Sequence, residues 1–201
     1  MAVHYEDDKV QITRVVVGPM VNNVFVVRCV ETGASVLIDA ADEPDVLLPL
    51  CAELNVGDVL TTHGHRDHIQ AVPAVRQAGH RVGVAQADAG MLPGHDFEIA
   101  DDEVIGVGNV RLQALHTPGH TPGSTSFKVE GSPVVFSGDT LFPGGPGATR
   151  GNAVNFATII RSIQQRLFTL PDDTIVLPGH GDDTTIGTER PHLQEWIDRG
   201  W

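Results

Sequence analysis

The chain has 201 residues and a formal net charge of −13, from 13 basic and 26 acidic side chains. Such an excess of carboxylates repels a phosphate backbone, so the composition argues against a nucleic-acid-binding protein. No segment approaches the ~20 consecutive apolar residues that a membrane helix needs, and the start of the chain, with Glu6, Asp7 and Asp8, lacks the pattern of a signal peptide. We therefore expect one domain over residues 1–201, located in the cytoplasm, without nucleic-acid or membrane partners.

Short apolar runs bounded by Gly, Pro or Asn predict strands, and apolar stripes at helical spacing predict helices. A strand-rich stretch followed by helix occurs twice, which predicts an α/β protein built from two sheet-plus-helix halves packed sheet to sheet. In chain order the predicted elements are strands Val10–Val17, Val24–Val30 and Ser35–Asp39, helix Glu43–Leu54, strand Asp58–Thr62, helix Asp67–Gln77, strands Val110–Leu115, Ser124–Val129 and Val134–Ser137, a long helix capped by Asn152 and running through Leu167, strand Thr174–Leu177, and helix Glu189–Asp198 capped by Thr188.

Two details of the core are also predicted. The apolar face of helix Glu43–Leu54 places Val46 and Leu50 inside the protein. The two cysteines, Cys29 and Cys51, lie in a predicted strand and a predicted helix. We expect them to pack as small apolar side chains rather than to form a disulfide.

The densest chemical signal is the sequence H-G-H-R-D-H at residues 63–68. Neutral imidazole nitrogens and carboxylate oxygens are the ligands that a borderline-soft divalent metal prefers. In an extended segment, positions two apart point to the same side, so His63 and His65 suit one ion. Asp67 and His68, past a bend, suit a second ion. The sequence therefore favours a dinuclear site, with a histidine-rich surface turn as the alternative.

Three further clusters also follow strand-like runs. His120 lies at the centre of a Gly- and Pro-rich turn, Asp139 ends an apolar run, and His180 lies between two glycines. One carboxylate can donate an oxygen to each of two ions, so Asp139 is the expected bridge. Ligands from neighbouring strand ends converge at one rim of a sandwich, and we expect all four clusters to meet there. His116 lies where a predicted strand ends, and we expect it to support a ligand or the fold, with metal binding as the alternative. The remaining histidines, expected to be surface or structural residues, are His4, His80, His95 and His192.

Four strings of this chain resemble the metallo-β-lactamase fold superfamily: T-H-G-H-R-D-H at 62–68, T-P-G-H-T-P-G at 117–123, S-G-D-T-L-F at 137–142 and P-G-H-G at 178–181. They are most similar to the glyoxalase II branch, the hydroxyacylglutathione hydrolases, in its short single-domain bacterial form. The resemblance covers essentially the whole chain and implies an αββα four-layer sandwich with two divalent ions, zinc or alternatively iron or manganese, at one edge. It implies His63, His65 and His120 as ligands of the first ion, Asp67, His68 and His180 as ligands of the second, and Asp139 as the bridge.

The chain departs from glyoxalase II in two respects. Glyoxalase II proper carries a C-terminal helical domain that supplies much of its glutathione binding, and we expect this chain, whose given sequence ends at Trp201, to lack that domain as the short bacterial forms do. A basic residue of that family that helps to bind the thiol lies in the region that contains Arg150 here. The resemblance thus implies Arg150 as a substrate contact, with a solvated loop arginine as the alternative.

These features predict a dinuclear metal-dependent hydrolase that cleaves a small-molecule thioester of the hydroxyacyl-thiol type. Two cations roughly 3.5–4 Å apart lower the pKa of a shared water and hold it as a bridging hydroxide that attacks the carbonyl carbon. Asp67 is the expected catalytic residue, because a carboxylate beside that hydroxide orients it and moves a proton.

Other functions remain open at this point. A mononuclear iron persulfide dioxygenase of the same superfamily would use His63, His120 and Asp139 as a two-His, one-carboxylate triad. A lactonase would use the same hydrolytic chemistry on an ester. A β-lactamase is disfavoured because those enzymes generally lack an aspartate at the position of Asp139. A structural metal module is disfavoured because closed structural sites usually have four Cys or His ligands for each ion.

Overall fold

The computed structural model describes residues 3–200. Strands of the first half form one mixed sheet in which the spatial order equals the chain order. The first four strands pair antiparallel and the last four pair parallel, with the fourth strand shared. These strands are β1 (Val3–Glu6), β2 (Val10–Val17), β3 (Asn22–Cys29), β4 (Ser35–Ile38), β5 (Val56–Leu60), β6 (Arg81–Val84) and β7 (Phe97–Glu98).

Strands of the second half form a six-stranded sheet and a small separate hairpin. In the six-stranded sheet, every pair is antiparallel except the one between the strands at Val134–Gly138 and Ile175–Pro178. The strands are β8 (Val104–Val107), β9 (Val110–His116), β10 (Thr125–Val129), β11 (Val134–Gly138), the hairpin β12 (Leu141–Phe142) and β13 (Gly145–Pro146), β14 (Ile175–Pro178) and β15 (Thr184–Thr185). The sheet order is β15-β14-β11-β10-β9-β8.

Helices cover the outer face of each sheet. Two of them pack on the first sheet through a core that includes Leu47 and Val75, and two pack on the second through Ile159 and Trp196. The helices are α1 (Pro44–Glu53), α2 (Val72–Gln77), α3 (Gln86–Ala89), α4 (Ala153–Ser162), α5 (Ile186–Glu189) and α6 (Leu193–Arg199). Among residues 3–200, no helix is long and apolar enough to cross a membrane.

The two sheets face each other across a third apolar core. Phe25 of β3 packs on Phe136 of β11, with ring centroids 5.2 Å apart. Leu60, Leu112 and Phe127 lie in the same core. Strand β3 is buried on both faces because it lies between the helix layer and the second sheet, which explains its continuous apolar run. The layers are helix, sheet, sheet and helix, so the predicted αββα sandwich is confirmed.

Several predicted details of the core and the helices are confirmed. Cys29 and Cys51 are both buried and free. Helix α4 begins after Asn152, whose side chain accepts hydrogen bonds from the backbone N–H groups of Val154 and Asn155 at 2.9 and 3.1 Å. The helix continues as one π-helical turn over Ile163–Leu167.

The predicted helix Asp67–Gln77 is wrong as one element. The structure has a 3-10 turn at Arg66–His68, an interruption, and then α2. In the interruption, the backbone N–H groups of Gln70 and Ala71 donate to carbonyls of Ala41 and Ala40 instead of to a preceding helical turn. Pro73 then lies in the first turn of α2, where its missing N–H costs nothing.

The last helix was also predicted wrongly. Thr188 lies inside a separate short helix, Ile186–Glu189, which Thr185 caps: its hydroxyl accepts a hydrogen bond from the backbone N–H of Thr188 at 3.2 Å. The last helix has His192 at its N-cap, without a side-chain hydrogen bond. Helix α5 ends at Glu189, a 3-10 turn follows, and α6 begins at Leu193. Pro191 lies in that turn and cannot donate to a helical ladder. Val46, which was placed in the core, is 40 % exposed.

We expect Asn152→Ala to lower the free energy of unfolding by about 1 kcal/mol, because two backbone N–H groups lose their acceptor. Asn152→Asp keeps an acceptor oxygen and serves as the matched control. Urea denaturation measures both variants, and equal stability of Asn152→Ala and the natural protein would contradict the role of the cap.

Candidate metal centre

The loops after β5, β9, β11 and β14 meet at one end of the two facing sheets. The first loop carries the H-G-H-R-D-H sequence, and the other three carry one predicted ligand each. Parallel pairing of β11 with β14 places the ends of these two strands side by side, which brings Asp139 and His180 together. The seven side chains that the structure gathers are His63, His65, Asp67, His68, His120, Asp139 and His180.

His63, His65 and His120 form the first group of possible ligands. Their nitrogen atoms lie within 4.8 Å of one another. His65 Nδ1 lies 2.8 Å from His120 Nε2, and the two rings are perpendicular at 4.5 Å between centroids. Two nitrogens at this distance need either one hydrogen or one cation between them.

Asp67, His68 and His180 form the second group, with ligand atoms again within 4.8 Å of one another. Asp67 Oδ2 lies 3.2 Å from His180 Nε2, and His68 Nε2 lies 3.2 Å from the same nitrogen. Asn22 Nδ2 donates a hydrogen bond to Asp67 Oδ2 at 3.1 Å. The carboxylate is thereby fixed in place beside the imidazoles.

Asp139 lies between the two groups. Its Oδ2 is 3.5 Å from His120 Nε2 and 3.6 Å from His180 Nε2, while its Oδ1 is 3.4 Å from His68 Nε2. A third possible ligand set, His63, His68 and Asp139, overlaps the other two. One carboxylate therefore contacts members of both groups.

Two of these atoms test whether the residues suit a metal ion. His63 Nε2 and Asp139 Oδ1 are buried and have no hydrogen-bond partner. A buried polar atom without a partner costs free energy, so such atoms are rare in folded proteins. Both atoms belong to the sets described above, and coordination of a cation would satisfy both. The donor set fits divalent metal ions.

The charge states of the histidines differ between the two groups. Burial, together with repulsion from His68, holds the pKa of His63 well below its ordinary value. Burial and the neighbouring His120 lower the pKa of His65 as well. Neutral imidazoles are the form that binds metals. Burial alone would also lower the pKa of His68, but Asp39 and Asp139 outweigh it and raise that pKa to about 10.

The carboxylates of the site are held ionised. The hydrogen bond with His180 is the main cause that keeps the pKa of Asp67 well below its usual range. Burial raises the pKa of Asp139, but the surrounding imidazoles, His68 first, outweigh burial and lower it. Both side chains therefore offer charged oxygens.

Hydrogen bonds donated by Nδ1 orient most of the imidazoles. His120 Nδ1 donates to the carbonyl of Ala148 at 2.8 Å, and His180 Nδ1 donates to the carbonyl of Met20 at 3.0 Å. When Nδ1 carries the proton, Nε2 is free to act as a ligand. His116, by contrast, lies outside the cluster and contacts the carbonyl of Ile99 at 3.2 Å, in line with the structural role predicted for it.

Asp39 is a positioning residue that the sequence reasoning missed. Its Oδ2 accepts hydrogen bonds from His68 Nδ1 and from the Thr62 hydroxyl, both at 2.8 Å. The Thr62 hydroxyl oxygen lies 3.1 Å from His63 Nδ1 and can accept a hydrogen bond from it. One buried carboxylate thus orients both buried imidazoles of the first loop. The signal was present, because Asp39 ends the apolar run of β4 as Asp139 ends that of β11.

Asp88 is a second positioning residue, and no pattern in the sequence marked it. It is fully buried. Its carboxylate accepts hydrogen bonds from the backbone N–H of Gly64 at 2.8 Å, from the Thr121 hydroxyl at 2.6 Å and from the backbone N–H of Gly123 at 2.7 Å. Gly64 lies between His63 and His65, while Thr121 and Gly123 follow His120. Asp88 therefore joins the two loops that carry the first group.

Arg150 lies at the rim of the site. Its side chain is exposed, and its backbone has a φ of +53°, a left-handed conformation that non-glycine residues seldom adopt. Its positive charge contributes, after burial and His120, to the lowered pKa of His65.

Comparison with known proteins places this architecture in a family. The model of the metallo-beta-lactamase superfamily matches residues 17–180. This chain belongs to the metallo-beta-lactamase superfamily, whose members bind divalent metals. The membership supports an enzyme that is a metal-dependent hydrolase.

Three similar proteins are informative. A hydroxyacylglutathione hydrolase, GloC of Haemophilus influenzae, is 34 % identical over 178 residues, which cover 77 % of this chain and 83 % of GloC. The structure of TTHA1623 in a di-iron-bound form is 32 % identical with a TM-score of 0.76 over 89 % of this chain and 96 % of that one. The structure of ETHE1 from Myxococcus xanthus is 31 % identical with a TM-score of 0.78 over 90 % of this chain and 82 % of that one.

We expect Asp88→Asn to lower the free energy of unfolding by about 2 kcal/mol. The asparagine side chain replaces one accepting oxygen by an NH₂ donor, so buried N–H or O–H groups that now donate to Asp88 lose an acceptor. The exposed carboxylate Asp173 provides the control, and Asp173→Asn should change stability by less than about 0.5 kcal/mol. Guanidinium denaturation of the metal-free proteins measures both. Equal stability of the two variants would show that Asp88 does not join the loops.

Proposed function

We propose that this protein is a hydrolase that uses two divalent metal ions to cleave a small-molecule thioester of the hydroxyacyl-thiol type. The observation that carries the proposal is the pair of ligand groups that share Asp139, with buried and unpartnered atoms at His63 and Asp139. The similarity to a hydroxyacylglutathione hydrolase supports the thioester substrate. The similarity to a di-iron protein supports the number of ions.

The two groups divide the proposed ligands. His63, His65 and His120 would hold the first ion, and Asp67, His68 and His180 would hold the second. Asp139 contacts both groups and would bridge the ions. Because nitrogen ligands dominate, zinc is the proposed metal, with iron or manganese as the alternatives.

When bound, the two ions supply Lewis acidity and lower the pKa of a shared water towards neutrality. The chain supplies the positions of the reacting groups. Asp67 is the proposed catalytic residue: hydrogen bonds with His180 and Asn22 fix its carboxylate, which remains ionised and accepts a hydrogen bond from the attacking water. As the water oxygen bonds to the carbonyl carbon and the C–S bond breaks, Asp67 would take up the water's proton transiently and release it to the departing thiolate.

Arg150 is the proposed contact for an anionic part of the thiol. Its exposed guanidinium lies at the rim beside His65, outside the ligand groups. A charge in that place attracts the substrate without taking part in bond breaking. Its removal should therefore raise KM for an anionic thioester more than it lowers kcat.

A second candidate function is an oxygenase with one iron ion. The set His63, His68 and Asp139 has the two-His, one-carboxylate composition of such sites, and His63, His120 and Asp139 would be a variant of it. The similarity to ETHE1 from Myxococcus xanthus supports this candidate. The full second group, Asp67, His68 and His180, favours the dinuclear hydrolase.

Metal analysis distinguishes the two functions. We expect the purified protein, dialysed in separate samples against zinc and against ferrous iron and then against buffer, to retain about two ions per chain and to hydrolyse thioesters without consuming oxygen. Plasma emission spectrometry and an oxygen electrode make the two measurements. One iron per chain with oxygen uptake would favour the oxygenase instead, and parallel assays with lactones would reveal a lactonase.

We expect Asp139→Asn to lose at least one ion per chain and to lower kcat/KM by about 100-fold or more. The reason is that an uncharged amide replaces a carboxylate whose oxygens face both ligand groups. Circular dichroism checks that the variant folds. His192→Asn is the matched control, since His192 is exposed and belongs to none of the ligand groups. Retention of both ions and full activity in Asp139→Asn would remove the bridging assignment.

A further inference from the structure

The turn that carries His180 is held by the loop between β2 and β3 and by the first residues of β3. The Met20 carbonyl accepts the hydrogen bond from His180 Nδ1. Asn22 forms an isolated β-bridge with His180, and the backbone N–H of Asn23 donates to the Gly179 carbonyl at 2.8 Å. Strand β3 belongs to the first sheet and His180 follows a strand of the second sheet, so this segment joins the two sheets at the candidate metal centre.

The side chain of Asn23 closes the turn around His180. It is buried, and its Nδ2 donates one hydrogen bond to the Pro178 carbonyl at 3.0 Å and another to the Gly181 carbonyl at 2.9 Å. These two carbonyls lie on either side of Gly179 and His180 in the chain. Both hydrogens of the amide nitrogen are therefore used, and removal of the amide would leave both carbonyls without this donor.

The turn packs directly on other residues of the metal centre. Gly179 lies so close to Asp139 Oδ1 and to the His68 ring that a Cβ there would overlap both. Gly181 has a φ of +71°, a left-handed conformation that glycine adopts without steric cost. A change in the turn would therefore move His180 relative to Asp139 and His68.

The first ligand group has a different support. Asp88 joins the loop of His63 and His65 to the loop of His120. Among the described residues, the hydrogen bonds of the Asn23 side chain reach only the turn at His180. The two groups of possible ligands are thus positioned by separate sets of hydrogen bonds.

We infer that Asn23 is a positioning residue for the second metal ion and sets the affinity of that ion independently of the first. The inference rests on the proposed dinuclear site and gives a role to a residue outside the ligand groups. Loss of a residue that orients a metal ligand commonly weakens metal binding about 10- to 100-fold. A side chain that only tied the two sheets together would affect the stability of the fold and leave the difference between the two ions unchanged.

A titration with buffered free zinc, followed by NMR of nitrogen-labelled histidine rings, tests the inference on the full chain. The His120 ring reports occupancy of the first group, and the His180 ring reports occupancy of the second. In Asn23→Ala, half-saturation of His180 should need about 10-fold more free zinc or higher, while the midpoint of His120 should move by less than about threefold. Asp88→Asn should show the reverse pattern, with the larger shift at His120.

Gly181→Ala perturbs the same turn without touching Asn23. No atom lies within 4 Å of the added methyl group, so the substitution acts through the backbone conformation alone. It should shift the His180 midpoint in the same direction as Asn23→Ala does. Val129→Ala is the matched control, because Val129 is buried in the core between the sheets and belongs to neither ligand group. Its truncation lowers the stability of the fold and should leave both midpoints unchanged.

The outcomes separate the proposed function from the role of Asn23. Binding of no more than one zinc ion by the natural protein would overturn the dinuclear site and this inference with it. Two ions in the natural protein, with equal shifts of both midpoints or with none in Asn23→Ala, would overturn only the role of Asn23. An unchanged His180 midpoint in Gly181→Ala would overturn that role as well, and this variant decides the question if Asn23→Ala does not fold.

Discussion

The whole site depends on two buried carboxylates, Asp39 and Asp88, which accept hydrogen bonds from the loops that carry the ligands. Asp39 accepts hydrogen bonds from His68 and Thr62, and Asp88 accepts them from Gly64, Thr121 and Gly123. Without these acceptors, five imidazoles and two carboxylates at close range would separate, because like groups repel and each is better solvated in water. The sandwich supplies the rigid strand ends, and the two aspartates convert them into a defined arrangement of ligand atoms.

The predicted architecture followed from patterns of apolar residues, and its failures have local causes. Alternation and runs in β2, β3 and β9 marked strands correctly, since burial of one or both faces decides those residues. The helix predicted over Asp67–Gln77 failed because tertiary hydrogen bonds to Ala40 and Ala41 replaced helical ones. The short β6 and β7 were missed since few apolar residues mark them.

The candidate metal ligands were more predictable from the sequence than the residues that position them. Histidine and aspartate at strand ends carry a chemical signature, so the sequence alone named all seven side chains that the structure gathers. Asp88 carries no such signature, because an aspartate in a short polar helix is ordinarily a solvated residue. Its role arises only when Gly64 and Gly123, far apart in sequence, both turn their N–H groups towards it. Such a role is a property of the packed fold.

The ligand set is divided between the two halves of the sandwich. His63, His65, Asp67 and His68 come from the first sheet, whereas His120, Asp139 and His180 come from the second. Cations bound as proposed would therefore link the two sheets across their interface. Any ligand that binds only the folded form adds RT ln(1 + [L]/Kd) to stability, so metal supply would enter the folding equilibrium directly. In a metal-starved cell, the two halves would be joined only by the apolar core around Phe25 and Phe136 and by hydrogen bonds such as that from the Thr125 N–H to the Thr62 carbonyl, so a larger fraction of the chain would be unfolded.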